Sequence, residues 1–261
     1  MPDTPAPSQA RIAGATALLI DIRQGRQAPT PGLPEGLRPR DLAEAEAIQL
    51  ATYAAMGWAI AGWKLGRTGP NVFAAPMPDA TVTLMADAPV RLPPGTGMEL
   101  EVAMQLRQGL DAAALAALRP GDLPGIADLV LLFEFVKSRF IPGTPPDEWD
   151  KIADGVANLG AVYSPPLGNW HLADSDPLSM RLLIDDVEVA RHDGPHRHAP
   201  LAELVEAWRH RCLAIGHAPK AGEVVTFGSL TGMLPVPAAG GILRGELVGR
   251  GSLVCRVAPL A

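Results

Sequence analysis

At 261 residues, with 48% hydrophobic and 19% charged side chains, the chain has the composition of a globular protein able to bury a sizeable core, not of a disordered or fibrous one. A net charge of -6, with Lys and Arg scattered and never in runs, provides no basic field for phosphates and argues against nucleic acid or anionic membrane as partners. The 2 cysteines, Cys212 and Cys255, lack metal-ligand spacing and cannot staple a secreted fold, and no apolar run approaches the roughly 20 residues of a membrane span.

The first residues, MPDTPAPSQA, lack a basic stretch followed by an apolar one, so a reducing, cytoplasmic setting is expected. Residues 1 to about 9 read as a frayed tail. A helix is expected from Ala10 to about Arg26, then a Pro/Gly linker, PTPGLPEGLRP. In DLAEAEAIQLATYAAMG, Asp41 and Glu44 form a capping-box pattern and Gly57 stands where a helix stops.

Beyond about residue 60 the pattern changes to short runs rich in Val, Leu and Thr between Gly and Pro: TVTLMA, PVRL, MELEVAMQL, LVLLFEFV, RLLIDDVEVA, GEVVTFGSL and SLVCRV. Such runs predict short strands in a mixed or antiparallel sheet. DAAALAALRP and APLAELVEAWRHRCLAIG interrupt them with apolar residues at helical spacing. The fold class is therefore α+β, with a helical segment over residues 1–60 and a β-rich body over 61–261.

In MELEVAMQL, period-two alternation puts Glu99 and Glu101 on one face, with Cα atoms about 6.6 Å apart, close enough for both side chains to meet one cation. The plainer reading is a strand with one wet face. Glu134 resists that reading. It lies within LVLLFEFV, a run expected to be buried on both faces, where a carboxylate must be protonated, paired or metal-bound, with Lys137 or Arg139 as the structural alternative partner. Three glutamates make an all-oxygen site suited to Mg²⁺ or Mn²⁺ rather than Zn²⁺.

Lys64, in the apolar and glycine-rich GWAIAGWKLG, is a partly desolvated ammonium able to stabilise an enolate, or else a lysine covering apolar surface. Asp79 and Asp154, beside Pro or Gly, read first as turn or capping residues. The loop around DGPHRHAP holds His192, His196 and His198 but no further ligand, and is expected to be a solvated turn. Phosphate-loop, dinucleotide-binding and nucleophile-elbow signatures are absent, since GSLTG has its serine one place too early.

Taken in order, GWKLG, MELEVAMQL, FEFVKSRF, IADGVANLG and PKAGEVVTFGSL resemble the 2-oxopent-4-enoate hydratase branch of the fumarylacetoacetate hydrolase superfamily, a branch that includes the 4-oxalocrotonate decarboxylases. The likeness spans most of the chain after the N-terminal tail. The family's Gly-x-Lys-x-Gly lysine falls on Lys64, its Glu-x-Glu pair on Glu99 and Glu101, and its glutamate before Ser-Arg on Glu134. Its acidic residue after the lysine segment has Asp79, in NVFAAPMPDATV, as closest counterpart. The sequence departs from the family at Ala157, where the hydratases carry a serine, and at HRHAP, where they read Gly-His-Pro.

The resemblance implies a mixed β-roll core with a smaller N-terminal part, assembly into homo-oligomers, and a Mg²⁺ or Mn²⁺ ion chelated by a small 2-oxo acid. It implies a lyase that adds water to a 2-hydroxy-2,4-dienoate, with Lys64 and Asp79 as catalytic groups. Rival readings are a 4-oxalocrotonate-type decarboxylase, an acylpyruvate hydrolase, and a non-catalytic oxo-acid-binding or activating subunit working with a partner enzyme of the same pathway. The hydrolase reading is weakened because its water-activating His/Glu pair lies toward the N-terminal side, and no histidine precedes His171.

Overall fold

The computed structural model describes residues 7–69, 71–143, 146–171 and 173–260. The greater part of the expected N-terminal tail lies outside the described residues. In chain order the elements are α1 (Pro7–Arg23), α2 (Leu42–Met56), β1 (Ile60–Thr68), β2 (Asn71–Pro78), β3 (Val82–Leu84), β4 (Val90–Leu92), β5 (Gly97–Leu106), α3 (Ala112–Ala117) and α4 (Leu123–Ile126). There follow β6 (Ala127–Val136), α5 (Glu148–Ala153), β7 (Asn158–Tyr163), β8 (Leu178–Ile184), β9 (Val187–Gly194), α6 (Leu201–Ala214), β10 (Val224–Thr226), β11 (Leu234–Pro235), β12 (Gly241–Leu247) and β13 (Gly251–Pro259).

The chain divides into two compact units, one made of Met1–Ile60 and Lys137–Asn158, the other of Ala61–Val136 and Leu159–Ala261. The segment after β6, expected within the β-rich body, thus clusters with the N-terminal helices. In the first unit α2 starts as its sequence requires: the Asp41 carboxylate accepts the Glu44 N–H at 2.9 Å. Glu44 reaches back to the Arg40 N–H at 2.9 Å, one residue before the cap, and also accepts from the side chains of Arg11, Arg40 and Ser8. Gly57, at φ 67, ends the helix in the left-handed conformation that glycine adopts without strain. Helix α1 occupies Pro7–Arg23, so it begins and ends about one turn earlier than the expected Ala10 to about Arg26.

The second unit holds two sheets. The larger runs β2-β1-β10-β5-β6-β7-β3, with β11 paired to the start of β5; the smaller runs β4-β13-β12-β8-β9. The larger sheet is mixed: β1 is parallel to β10, β10 antiparallel to β5, and β5 antiparallel to β6. One face of β5 and β6, bearing Leu100 and Phe133, packs against the smaller sheet. Gly245 on β12 permits that approach, because a Cβ there would lie 2.4 Å from Leu100 Cδ1. The other face carries the glutamates and continues into a core of Met77, Ala103, Val130, Leu132, Ala161 and Val224. Apart from the part-exposed Glu99 and Gln105, β5 is buried on both faces, so the alternation in MELEVAMQL does not mark one wet face.

Strands β1, β2, β7, β11 and β12 arise from segments not read as strands. RLLIDDVEVA, read as one run, is a hairpin in which Asp185 and Asp186 take φ 47 and 64 at the turn between β8 and β9. Short acidic side chains tolerate that region, and paired left-handed residues match the twist of a tight hairpin. Among the described residues no helix is long and apolar enough to cross a membrane.

Candidate metal centre

The larger sheet brings four of the five sequence-predicted site residues together. On the β5/β6 ladder Glu99 stands directly opposite Glu134, and Glu101 opposite Leu132, so all three carboxylates share a face. One carboxylate oxygen from each lies within 4.8 Å of those of the other two, and no other such group of His, Cys, Asp and Glu occurs among the described residues. Lys64 arrives from β1, two strands from β5, in register with Thr226 of β10. Its Nζ is 2.8 Å from Glu134 Oε2 and 3.7 Å from Glu99 Oε2.

Burial is graded across the group. Glu101 and Glu134 are fully buried, whereas the Glu99 side chain keeps 18% of its surface, so the centre opens to solvent at Glu99. Burial pushes the Glu101 carboxyl well above the usual carboxylate range, and the charges of Glu134 and Glu99 push it further. For Lys64, burial works to lower the pKa. The charges of Glu134, Glu99 and Glu101 outweigh it and hold the ammonium above the ordinary lysine value. The Lys64 ammonium thus faces all three carboxylates.

This donor set fits a hard divalent cation. All candidate ligand atoms are carboxylate oxygens, and Glu101 Oε1 is buried with no hydrogen-bond partner among the described residues. A buried carboxylate oxygen without a donor is costly, and a cation would satisfy it.

The remaining candidates fall elsewhere. Asp79 lies on the exposed turn after the edge strand β2, where the Thr81 N–H donates to the Pro78 carbonyl at 3.1 Å. It does not belong to the carboxylate group. Arg139, considered as a partner for Glu134, is committed to Asp154: its Nε and backbone N–H donate to the Asp154 carboxylate, and its Nη2 to the Asp154 carbonyl at 2.6 Å. Arg23 also pairs with Asp154, at 3.4 Å, so Asp154 is an ion-pair centre of the first unit.

The histidine loop is not the solvated turn expected. His192 and His196 are buried; His192 Nε2 faces the Gly194 and Pro195 carbonyls at 3.2 and 3.1 Å, and His196 Nδ1 accepts the His198 N–H at 3.2 Å. Burial, aided by His198 and His192, pushes the His196 pKa down to about 3, which keeps the ring neutral.

Three features escaped the sequence reading. Thr226, fully buried, donates its hydroxyl to Glu101 Oε2. A hydroxyl within the apolar stretch VVTF needs a partner for the same reason that flagged Glu134. The loop after β10 runs along β5, with the Leu230 N–H donating to the Leu100 carbonyl and the Leu100 N–H to Thr231 Oγ1, both at 3.3 Å. Gly228 there takes φ 90, and a Cβ on it would lie 2.8 Å from His198 Cδ2, so the ring closes over a position open only to glycine. No local signal announces that contact.

No protein-family model matches the chain, and no curated protein matches its sequence. Solved structures do match. 4-Oxalocrotonate decarboxylase from Pseudomonas putida G7, complexed with magnesium and adipate, superposes with a TM-score of 0.73 at 18% identity, covering 94% of this chain and 97% of that one. The same enzyme complexed with calcium and acetate gives 0.74 at 16% identity, over 95% and 98%. The chain has the fumarylacetoacetate hydrolase fold. At these identities the likeness is one of fold, and it covers both units of the chain. Within the fumarylacetoacetate hydrolase fold, chemistry is decided by the residues of the site and not by the scaffold.

Proposed function

We propose that this protein is a lyase that binds one Mg²⁺ or Mn²⁺ through Glu99, Glu101 and Glu134 and uses it to act on a small 2-oxo acid. The observation that carries the reading is the convergence of three carboxylates, two of them fully buried, with Glu101 Oε1 lacking a donor among the described residues. The bound cation would supply Lewis acidity toward the carboxylate and 2-oxo oxygens of the substrate.

Lys64 holds its proton firmly among the carboxylates and supplies fixed positive charge where an enolate develops. The apolar side chains beside Glu101, Ala103 and Leu132 among them, keep water from the buried half of the site and strengthen that electrostatic effect. The open side at Glu99 is the route for substrate. The catalytic role that the resemblance implies for Asp79 gains no support from its place on the exposed turn, outside the carboxylate group.

The leading reaction is addition of water to a 2-hydroxy-2,4-dienoate. The second is loss of CO₂ from a 2-oxo-enedioate, since both reactions develop charge on the same enolate oxygen. The second is favoured by the superposition on a 4-oxalocrotonate decarboxylase solved with adipate, a dicarboxylate. The purified protein is incubated with Mg²⁺ and either 2-hydroxypenta-2,4-dienoate or 2-oxo-3-hexenedioate, with EDTA controls, and the products are followed by NMR. Water addition to the first identifies a hydratase and CO₂ release from the second a decarboxylase. Inertness toward both sinks the lyase reading.

A further inference from the structure

Strand β10 separates Lys64 from β5: Thr226 is in register with Lys64 on one side and with Ala103 on the other, on the face that carries Glu101. Its hydroxyl has one proton. Glu101 Oε2 and the Val102 carbonyl, at 3.3 Å, both lie in reach. Glu101 Oε2 is the nearer acceptor and, once a bound cation keeps the carboxylate ionised, the stronger one. The bond therefore occupies Oε2 and leaves Oε1, buried and without a hydrogen-bond partner among the described residues, as the available oxygen of Glu101.

We propose that Thr226 is a positioning residue that makes Glu101 a one-oxygen ligand and thereby sets the centre's preference for a small octahedral cation over Ca²⁺. The inference rests on the metal-binding reading above. Mg²⁺ requires few protein oxygens in near-ideal octahedral geometry, whereas Ca²⁺ takes 6–8 oxygens and readily accepts both oxygens of one carboxylate. A hydroxyl that holds Oε2 denies the second contact and stabilises the first. Without it, Glu101 can turn and offer both oxygens.

The test measures Mg²⁺ and Ca²⁺ affinity by calorimetry on the full chain, for wild type, Thr226→Val, Thr226→Ala, Thr226→Ser and a Glu134→Ala control, with unfolding in EDTA to establish that each variant is folded. Thr226→Val should weaken Mg²⁺ about 10–100-fold, the range typical of lost outer-shell bonds. Ca²⁺ affinity should hold or rise, and Thr226→Ser should restore the wild-type preference. Thr226→Ala is read in the same way if the valine variant does not fold. Unchanged Mg²⁺ affinity, an equal fall for both ions, or no rescue by serine overturns the proposal while the Glu134→Ala control still shows a metal centre. Absence of binding to wild type overturns the metal reading itself.

Discussion

Glu99 and Glu134 are directly opposed on adjacent antiparallel strands, a placement in which two carboxylates repel unless a cation stands beside them. Lys64 Nζ, at 2.8 Å from Glu134 and 3.7 Å from Glu99, provides part of that compensation. Replacing Glu134 by Ala removes a fully buried carboxylate from the candidate metal centre. Titration calorimetry with Mg²⁺ should then show no binding heat, while the fold persists by circular dichroism. Undiminished affinity would place the metal elsewhere.

Lys64 has two separable roles. As counter-ion to buried carboxylates, its replacement by Met should destabilise the metal-free protein by roughly 3–5 kcal/mol, the cost of breaking a buried pair. Added Mg²⁺ should recover much of this, because the cation takes over neutralisation. As the charge that stabilises an enolate, its loss should abolish turnover even with metal bound. Urea unfolding with and without Mg²⁺, beside a turnover assay, separates the two. Full activity in the variant contradicts the proposed role.

The raised pKa of Glu101 has a definite sign in stability. A carboxyl whose folded pKa lies above its unfolded value, near 4.5, binds more protons when folded. Its contribution is fully present below the unfolded pKa and is lost as pH rises through the folded one. In EDTA the wild type should therefore lose stability from about pH 4.5 upward relative to Glu101→Gln, which cannot ionise. Melting curves across pH check this; parallel curves for the two proteins would show that Glu101 is not strained by burial.

Asp154 is assigned to structure. It compensates two guanidiniums, those of Arg139 and Arg23, within the first unit. Asp154→Asn leaves both without their counter-charge and should destabilise the protein by roughly 3–5 kcal/mol. Mg²⁺ affinity, set by residues of the second unit, should stay at the wild-type value. A variant of unchanged stability but lost turnover would instead make Asp154 part of the chemistry.

The carboxylate group was legible because its constraints are local. Alternation puts Glu99 and Glu101 on one face whatever the rest of the chain does. Glu134 stands out as an isolated charge in an apolar run, and the cost of burying a charge is independent of fold. The capping of α2 by Asp41 and its end at Gly57 depend only on neighbouring backbone groups. The short strands β3 and β4, bounded by turn residues, were readable for the same reason.

What remained hidden is non-local. Glu134 could have paired with Arg139, five residues along, until the tertiary structure joined Arg139 to Asp154 and brought Lys64 across from β1. The burial of β5 on both faces, which desolvates Glu101, depends on which elements cover the sheet, and periodicity does not report that. The bond from Thr226 to Glu101 and the contact of His198 with Gly228 join segments far apart in the chain. The sequence by itself determined that Glu99 and Glu101 share a strand face and that a charge at Glu134, inside an apolar run, needs a partner. Only the packing of β1, β10, β5 and β6 decided that these carboxylates and Lys64 share one site, because hydrogen-bond register between distant strands sets which side chains meet.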